Sequence, residues 1–495
     1  MKKKIIVRFA PSPTGPLHIG NLRIALFNFL FSKKYNGKFI LRIDDTDKKR
    51  IVKNSLDYIL KSLKWFKIDY DEGYKKNGKN KPYKQSKRLK IYKKYLKILL
   101  KKKLAYYAYD DIKDINYYKK KNKYFLYNSI NRNKLKNSLN KNYKKKKKKK
   151  YVIRLKTPKN KLIVFNDKIY GKIKINTNKI DDKIIYRTNK MPTYHFANVI
   201  DDYLMNITHV IRGKEWIYST PIHIILCQYL NFKIPNYIHL PLILNKKKGK
   251  ISKRLYNLNK NIIYPINSQY KNLKVNNSFE ENGYLPESLI NLLFILGNKK
   301  INDNKIINLK KMIKIFNFKN FKKNNIYFNY KKLLWINKQY IINNKKIKKI
   351  IFLKIKKKLK NQKIKNKFIK KIINLIIDRL NLINIKSIWN NCVFFFKRPN
   401  KYIYNKYIFN KIKKNKKEII SFFLLILFSV LKKKKINIKK IYLIKILRLS
   451  LIGNINGLEI TKIINNLNIK EIIKRIKYLL KNKLFTNTKF IKNII

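Results

Sequence analysis

The first fifty residues alternate most clearly between apolar and polar stretches. Residues 4 to 10 predict a short buried strand, 11 to 20 a proline and glycine loop, and Leu22 to Phe31 an apolar-rich helix; Phe39 to Ile43 then predicts a second strand that ends in acids. Strand, loop, helix and strand in that order open an α/β sheet, in which ligands lie beyond the carboxyl ends of the strands, where loops and helix N-termini converge. From about Tyr109 to Lys150 the pattern gives way to a Lys/Asn/Tyr tract closing in seven consecutive lysines, Lys144 to Lys150, and this reads as an insertion. Strand-like runs resume at Tyr151 to Leu155 and continue through Ile184 to Tyr186 and at Val199-Ile200. After Asn245 the pattern turns mostly helical, and from about Asn325 it consists of amphipathic Ile/Leu/Lys segments with no strand alternation.

Length and charge widen this picture. A chain of 495 residues is enough for roughly three structural units at about 150 residues each, so a stapled miniprotein is excluded. With 123 Lys+Arg against 24 Asp+Glu the formal net charge is +99, and such a field attracts polyanions, nucleic acid first. The same chain is crowded with Asn, Ile, Tyr and Phe throughout, so a coding bias accounts for part of the charge. Cys227 and Cys392, far apart in sequence, read as packed thiols of a reducing compartment. The longest apolar run, Ile419 to Leu431, is 13 residues, too short to cross a bilayer. The start, Met1 to Val7, passes straight into a strand with no secretory signal. A soluble cytoplasmic protein is expected.

Against this background the rare residue types mark the chemistry. Three of the 12 prolines (Pro11, Pro13, Pro16) and two of the 12 glycines (Gly15, Gly20) share one short window, and Asp44, Asp45 and Asp47 form an acidic cluster nearby. In Pro11-Ser12-Pro13-Thr14-Gly15-Pro16-Leu17-His18-Ile19-Gly20-Asn21, an imidazole and a close-approach glycine open a helix, where backbone N–H groups and the helix dipole suit a polyphosphate. A third cluster runs from Pro192-Thr193-Tyr194-His195 through Asp201-Asp202 to His209-Val210-Ile211-Arg212-Gly213, and Arg8 stands just before the loop. Bland readings exist beside these: the aspartates could cap a helix starting near Lys48, the arginines could be surface cations, and Tyr194 could be core. His195, His209, His223 and His239 read as structural, spaced unlike a zinc site.

The loop resembles the first signature of class I aminoacyl-tRNA synthetases, with Asn21 in place of the second histidine, a change common in the glutamate and glutamine branch. Lys250-Ile251-Ser252-Lys253-Arg254 resembles the second signature; it follows the strand-like His239 to Leu244, whereas the equally good match at Lys84 to Arg88 falls in a different family stretch, Pro82 to Ser86. Leu41 to Asp47, Met191 to Asp202, Thr208 to Trp216 and Gly283 to Glu287 are similar to glutamyl-tRNA synthetases in order and spacing.

The resemblance implies an α/β class I synthetase of Rossmann type: a catalytic domain at 1–105 and 186–240, an inserted acceptor-end-binding domain at 106–185, a stem-contact domain at 241–324 that holds the lysine loop, and an all-α anticodon-binding region at 325–495. It implies ATP-dependent attachment of L-glutamate to tRNA(Glu) through a glutamyl-adenylate. His18, Lys250 and Lys253 would be catalytic. ATP would lie on Pro11, Ser12, Thr14, Gly15, His18, Gly20, Asn21, Lys250, Ile251, Ser252, Lys253 and Arg254. Glutamate would lie on Arg8, Ser12, Asp44, Tyr194, Asn198 and Arg212. The family's usual Glu is Asp44 here, one methylene shorter, and which arginine faces the side-chain carboxylate stays open. ATP with Mg²⁺ is expected. Ala108 and Asp110 stand where some members carry a zinc-binding Cys-x-Cys, so no zinc is expected. The partners would be tRNA(Glu), glutamate and ATP, with no membrane, and the state a monomer. Lys144 to Lys150 fits either an RNA contact or a solvated loop. Glutaminyl-tRNA synthetase and a degenerate, non-catalytic tRNA-binding protein are the alternatives; the first has a β-barrel C-terminal part, against the helical pattern here.

Overall fold

The computed structural model describes residues 4–139, 150–245, 249–250, 262–301, 305–359, 362, 364–399 and 440–481, with backbone only at 245, 249–250, 440–444, 446, 477 and 480–481. The chain divides into two compact units, Met1–Ile336 and Asn337–Ile495.

In the first unit, β1 (Ile6–Phe9) leads through the proline loop into α1 (Ile19–Lys34), which returns to β2 (Lys38–Leu41). The helix is longer at both ends than the apolar run predicts, because His18 caps its start and Lys33 and Lys34 suit the negative end of its dipole. After α2 (Ser55–Trp65) comes β3 (Glu72–Gly73), then α3 (Leu89–Lys101). β1, β2 and β3 pair in parallel. Next are β4 (Ala105–Ala108), α4 (Ile112–Lys121), β5 (Val152–Leu155), the hairpin of β6 (Leu162–Asp167) and β7 (Gly171–Asn176), and β8 (Ile184–Tyr186). β4, β5 and β8 form an antiparallel sheet, and a small cluster of Tyr106, Ala108, Tyr127 and Leu135 packs the start of the lysine-rich tract against it. Its lysine run up to Lys149 lies outside the described residues.

α5 (Tyr194–Leu204) is followed by β9 (His209–Gly213), α6 (Thr220–Tyr229) and β10 (Asn236–Leu240), with β9 and β10 parallel. Thr208 joins the two parallel ladders: its N–H donates to the Ile6 carbonyl at 2.9 Å and its Oγ1 accepts from Ile6 N–H at 2.9 Å. The parallel strands therefore run β3-β2-β1-β9-β10. The order reverses between β1 and β9, and a cleft opens beyond their carboxyl ends at such a switch point.

Two sequence expectations are corrected. Val199-Ile200 lies in α5, not in a strand; this helix buries Phe196 through Asp202 without a break, and a β-branched apolar pair taken alone cannot tell a buried helix segment from a strand. The region after Asn245 is not uniformly helical. Ser268–Tyr270 and Leu273–Val275 pair as a hairpin, and Ile326–Tyr327 pairs in parallel with β11 (Ile243–Asn245). Strands of two or three residues are too short to show alternation.

The second unit is helical where described. Helix Asn366–Ile376 buries Ile369, Ile372, Ile373 and Ile376, a stripe at the spacing of one helix face. Buried Ile347, Ile351 and Ile355 give Lys345–Lys358 the same kind of face. Arg475 ties Ile469–Lys481 to its neighbours through the Phe394 and Leu451 carbonyls at 2.7 and 2.6 Å. The apolar run Ile419 to Leu431 lies outside the described residues, and no helix among them is long and apolar enough to cross a membrane.

Candidate functional site

A cleft of about 760 Å³ opens at the β1/β9 switch point, within the size range of small-molecule sites. It brings together twelve predicted residues from four separated stretches. Arg8 comes from β1, and Pro11, Ser12, Thr14, Gly15, His18, Gly20 and Asn21 from the loop and the start of α1. Asp44 follows β2, Tyr194 and Asn198 come from α5, and Arg212 from β9.

The signature loop is held mainly by its backbone. Gly15 takes a φ of +128°, a region that disfavours side chains. His18 Nδ1 accepts the Gly20 N–H at 3.0 Å, while Asn21 Oδ1 accepts the His18 N–H at 3.5 Å, a reciprocal cap. A nitrogen that accepts carries no proton, so the neutral ring has its proton on Nε2. A Cβ on Gly20 would stand 2.8 Å from His18 Cε1, so this imidazole placement needs a glycine.

The wall formed by β1, β2 and α5 is a network of paired charges. Arg8 Nε donates to Asp202 Oδ1 at 3.0 Å, and its Nη2 donates to Asp202 Oδ2 at 3.2 Å and Asn198 Oδ1 at 3.5 Å. Arg42 Nε donates to Asp44 at 2.8 Å and its Nη1 to Asp202 at 2.7 Å. Asn198 Nδ2 donates to Asp44 Oδ2 at 3.3 Å. Behind them Asp201 accepts from Arg88, Tyr92 and Gln85 at 2.7, 2.7 and 3.0 Å. Burial alone would raise the Asp202 carboxyl, but Arg8 and Arg42 outweigh it and hold it below the usual carboxylate range. Burial would likewise lower Arg42; Asp44, Asp202 and Asp201 raise it instead.

The wall formed by β9, β10 and α6 is different. Arg212, also buried, donates from Nε to His239 Nε2 at 3.1 Å, from Nη1 to His223 Nδ1 at 3.2 Å, and from Nη2 to Thr220 Oγ1 at 2.9 Å and the Trp216 carbonyl at 3.3 Å. The Trp216 and Tyr194 rings lie 4.5 Å apart and both line the cleft.

The acidic cluster is not a helix cap. Asp44 goes to Arg42 and Asn198, Asp45 accepts from Ser86 N–H and Oγ at 2.8 and 2.7 Å, and Asp47, before a short turn at Lys48–Arg50, makes no side-chain cap bond. Ser86 is thereby committed to holding Asp45. Of Lys250 only the backbone is described, and Ile251, Ser252, Lys253 and Arg254 lie outside the described residues. The chain on either side of them is next to the signature loop: Leu242 and Ile243 line the cleft, and the Ile263 carbonyl accepts the Ile19 N–H at 3.0 Å.

Reasoning from sequence passed over Arg42, Asp201 and Asp202 as site-building groups, although an Asp-Asp pair stands out in a chain with 24 acids. The histidines read as structural are buried or half-buried, and His223 and His239 touch Arg212. At Asp110, where zinc was not expected, the carboxylate accepts from Tyr127 Oη at 2.8 Å and Lys136 N–H at 2.9 Å.

Comparison with known proteins gives the lineage. The family of class I tRNA synthetases for Glu and Gln, catalytic domain, matches residues 4–335. A glutamate–tRNA ligase from Azobacteroides pseudotrichonymphae is 42% identical over 411 residues, 81% of each chain. One from Flavobacterium psychrophilum is 36% identical over 96% of this chain and 99% of its own. The crystal structure of the glutamate-tRNA synthetase from Elizabethkingia anophelis superposes with a TM-score of 0.84 at 35% identity, covering 97% of this chain and 100% of that one. A glutamate tRNA ligase from Elizabethkingia meningosepticum, solved in complex with its amino acid, gives the same TM-score at 34% identity, covering 97% of this chain and 100% of that one. With a class I catalytic domain across two thirds of its length and full-length likeness to these enzymes, the chain belongs to the glutamate–tRNA ligases of the class I aminoacyl-tRNA synthetase family.

Proposed function

We propose that the β1/β9 cleft is where this chain joins L-glutamate to tRNA(Glu) at the expense of ATP. A carboxylate oxygen of glutamate attacks the α-phosphorus of ATP and pyrophosphate leaves; a terminal ribose hydroxyl of the tRNA then attacks the carbonyl carbon, losing its proton as AMP departs. No protein nucleophile is needed, so positioning and electrostatic stabilisation carry the rate. The observation that supports this most is the convergence of Arg8, Asp44, Asn198, Tyr194 and Arg212 beside the His18 and Gly20 cap in one cleft.

In this reading the helix N-terminus and the Nε2 proton of His18 receive phosphate oxygens, and Gly20 leaves room for the nucleotide. Lys250 and Lys253, on the segment whose neighbours flank the cleft, neutralise the leaving pyrophosphate. Arg212 and Arg8 provide positive charge for the amino acid's carboxylates, and Asp44 the negative charge for its ammonium. Mg²⁺ on the nucleotide would add charge neutralisation at the phosphates. The region 106–185 would grip the acceptor end, 241–324 the stem, and the helical part after about 325 the anticodon, with the charge of +99 supplying attraction to RNA.

The test is aminoacylation with ATP, offering glutamate and glutamine separately against purified glutamate and glutamine tRNAs. Glutamate transfer to tRNA(Glu) is expected. Preferred transfer of glutamine would overturn the substrate assignment, and no transfer at all would favour a degenerate tRNA-binding protein.

A further inference from the structure

Two buried arginines face one cleft and are held in opposite ways. Arg8 is clamped by the Asp202 carboxylate, whereas Arg212 enters no ion pair within 4.0 Å among the described residues and spends its N–H groups on two imidazoles, a hydroxyl and a carbonyl. A guanidinium is always protonated and can only donate, so His223 Nδ1 and His239 Nε2 must accept, and each ring must be neutral with its proton on the other nitrogen. Those protons have acceptors. His223 Nε2 lies 3.1 Å from His195 Nδ1, and His239 Nδ1 lies 2.8 Å from Asp167 Oδ2. The Asp167 carboxylate also takes the N–H groups of His239, Ile169 and Tyr170 at 3.0, 2.9 and 2.8 Å, so it stands one imidazole away from Arg212 with its charge already solvated by donors. Burial, then Arg212 itself, pushes His223 well below its ordinary range; burial also lowers His239 and takes His195 to about 4.

We propose that His223 and His239 are positioning residues: they aim Arg212 through neutral acceptors, so its direction is fixed while its charge stays uncancelled for the incoming carboxylate, and this sets the preference for glutamate over glutamine. The proposal rests on the reading of Arg212 as part of the amino-acid pocket. An aspartate at either position would hold the guanidinium more tightly, but it would repel the substrate and cancel the field that tells a carboxylate from an amide. The opposite wall can tolerate such pairing because its arginines also build the scaffold.

The experiment compares His223→Asn, which keeps a neutral oxygen acceptor near the place of Nδ1, with His223→Asp, which puts an anion there. The full-length enzyme charges tRNA(Glu), and kcat and KM are measured for glutamate and for glutamine. H223D is expected to raise KM for glutamate by at least about tenfold with kcat changed by no more than about threefold, and to narrow the glutamate to glutamine ratio; H223N stays within about threefold of the parent. His239→Gln against His239→Glu repeats the comparison from the second ring and decides the matter if H223D does not fold. Parent-like KM values in the acidic variants, or neutral variants as impaired as the acidic ones, would overturn the proposal. Arg212→Ala runs in parallel: unchanged KM there defeats the pocket reading itself, while raised KM there with parent-like H223D defeats only the imidazole cradle.

Discussion

The two walls of the cleft solve different problems with the same side chain. On the β1, β2 and α5 side, Arg8, Arg42 and Arg88 meet Asp44, Asp201 and Asp202 in buried pairs, so charge is balanced and geometry is locked. On the β9, β10 and α6 side, one guanidinium is locked by neutral groups, with no carboxylate in ion-pair distance among the described residues. Balanced charge suits a scaffold, because an unpaired buried ion is costly. Unbalanced charge suits recognition, because a ligand of the opposite sign can complete it.

Breaking each wall should therefore give a different phenotype. The largest stability loss is expected from Arg42→Ala, which leaves the buried Asp44 without its guanidinium and Asp202 with Arg8 alone: about 3–5 kcal/mol, read from urea unfolding. If the loss stays below about 1 kcal/mol, as for a surface pair, the first wall is not a scaffold. Arg212→Ala should act on substrate instead, raising KM for glutamate roughly 100-fold, the equivalent of about 3 kcal/mol for a lost charge-assisted bond. An unchanged glutamate saturation curve would remove the contrast.

A pH titration of stability separates the two networks more finely, since His195 and Asp202 both lie on α5 but His195 turns to His223 and Asp202 to the arginines. His195 titrates at about 4 in the folded chain against 6.5 ordinarily, so as pH falls the unfolded chain takes the proton first, and the contribution of His195 to stability declines from about 6.5 down to about 4. Asp202 has the opposite history. Its folded pKa is depressed, so its contribution is complete above the unfolded carboxylate value near ~3.9 and is lost as pH drops through the folded one. Urea unfolding from pH 7 to pH 2 should show two successive declines; His195→Asn should make the upper one shallower, the rest of it coming from His209, His223 and His239, and Asp202→Asn should make the lower one shallower, the rest coming from carboxylates such as Glu471. The smallest effect belongs to a pair outside both walls: Asp69, mostly exposed beside Lys76 at 2.6 Å, changed to Asn should shift stability by no more than about 0.5 kcal/mol.

Much of the site was readable because the chain is so biased. Prolines and glycines crowded into residues 11 to 20 marked the loop, and the family motifs carried Arg8, Asp44, Asn198 and Arg212 to positions that do line one cleft. Less readable was α5, where Val199-Ile200 looked like a strand because a short β-branched apolar pair reads the same in a buried helix as in a strand. The histidines were legible as buried residues but not as the cradle of Arg212, since nothing in the spacing of His223 and His239 announces a shared neighbour.

The sequence by itself determined the local devices: the His18 and Gly20 cap, the glycine at positive φ, and the amphipathic stripes of the C-terminal helices. Each depends on residues a few positions apart, within reach of one turn of backbone. Only the tertiary structure decided which charges meet. Arg8 and Asp202 are 194 positions apart and Arg42 and Asp202 are 160 apart, and their pairing follows from the register of parallel strands and the seating of α5 beside them. That placement also left Arg212 among neutral rings while Arg8 and Arg42 meet carboxylates.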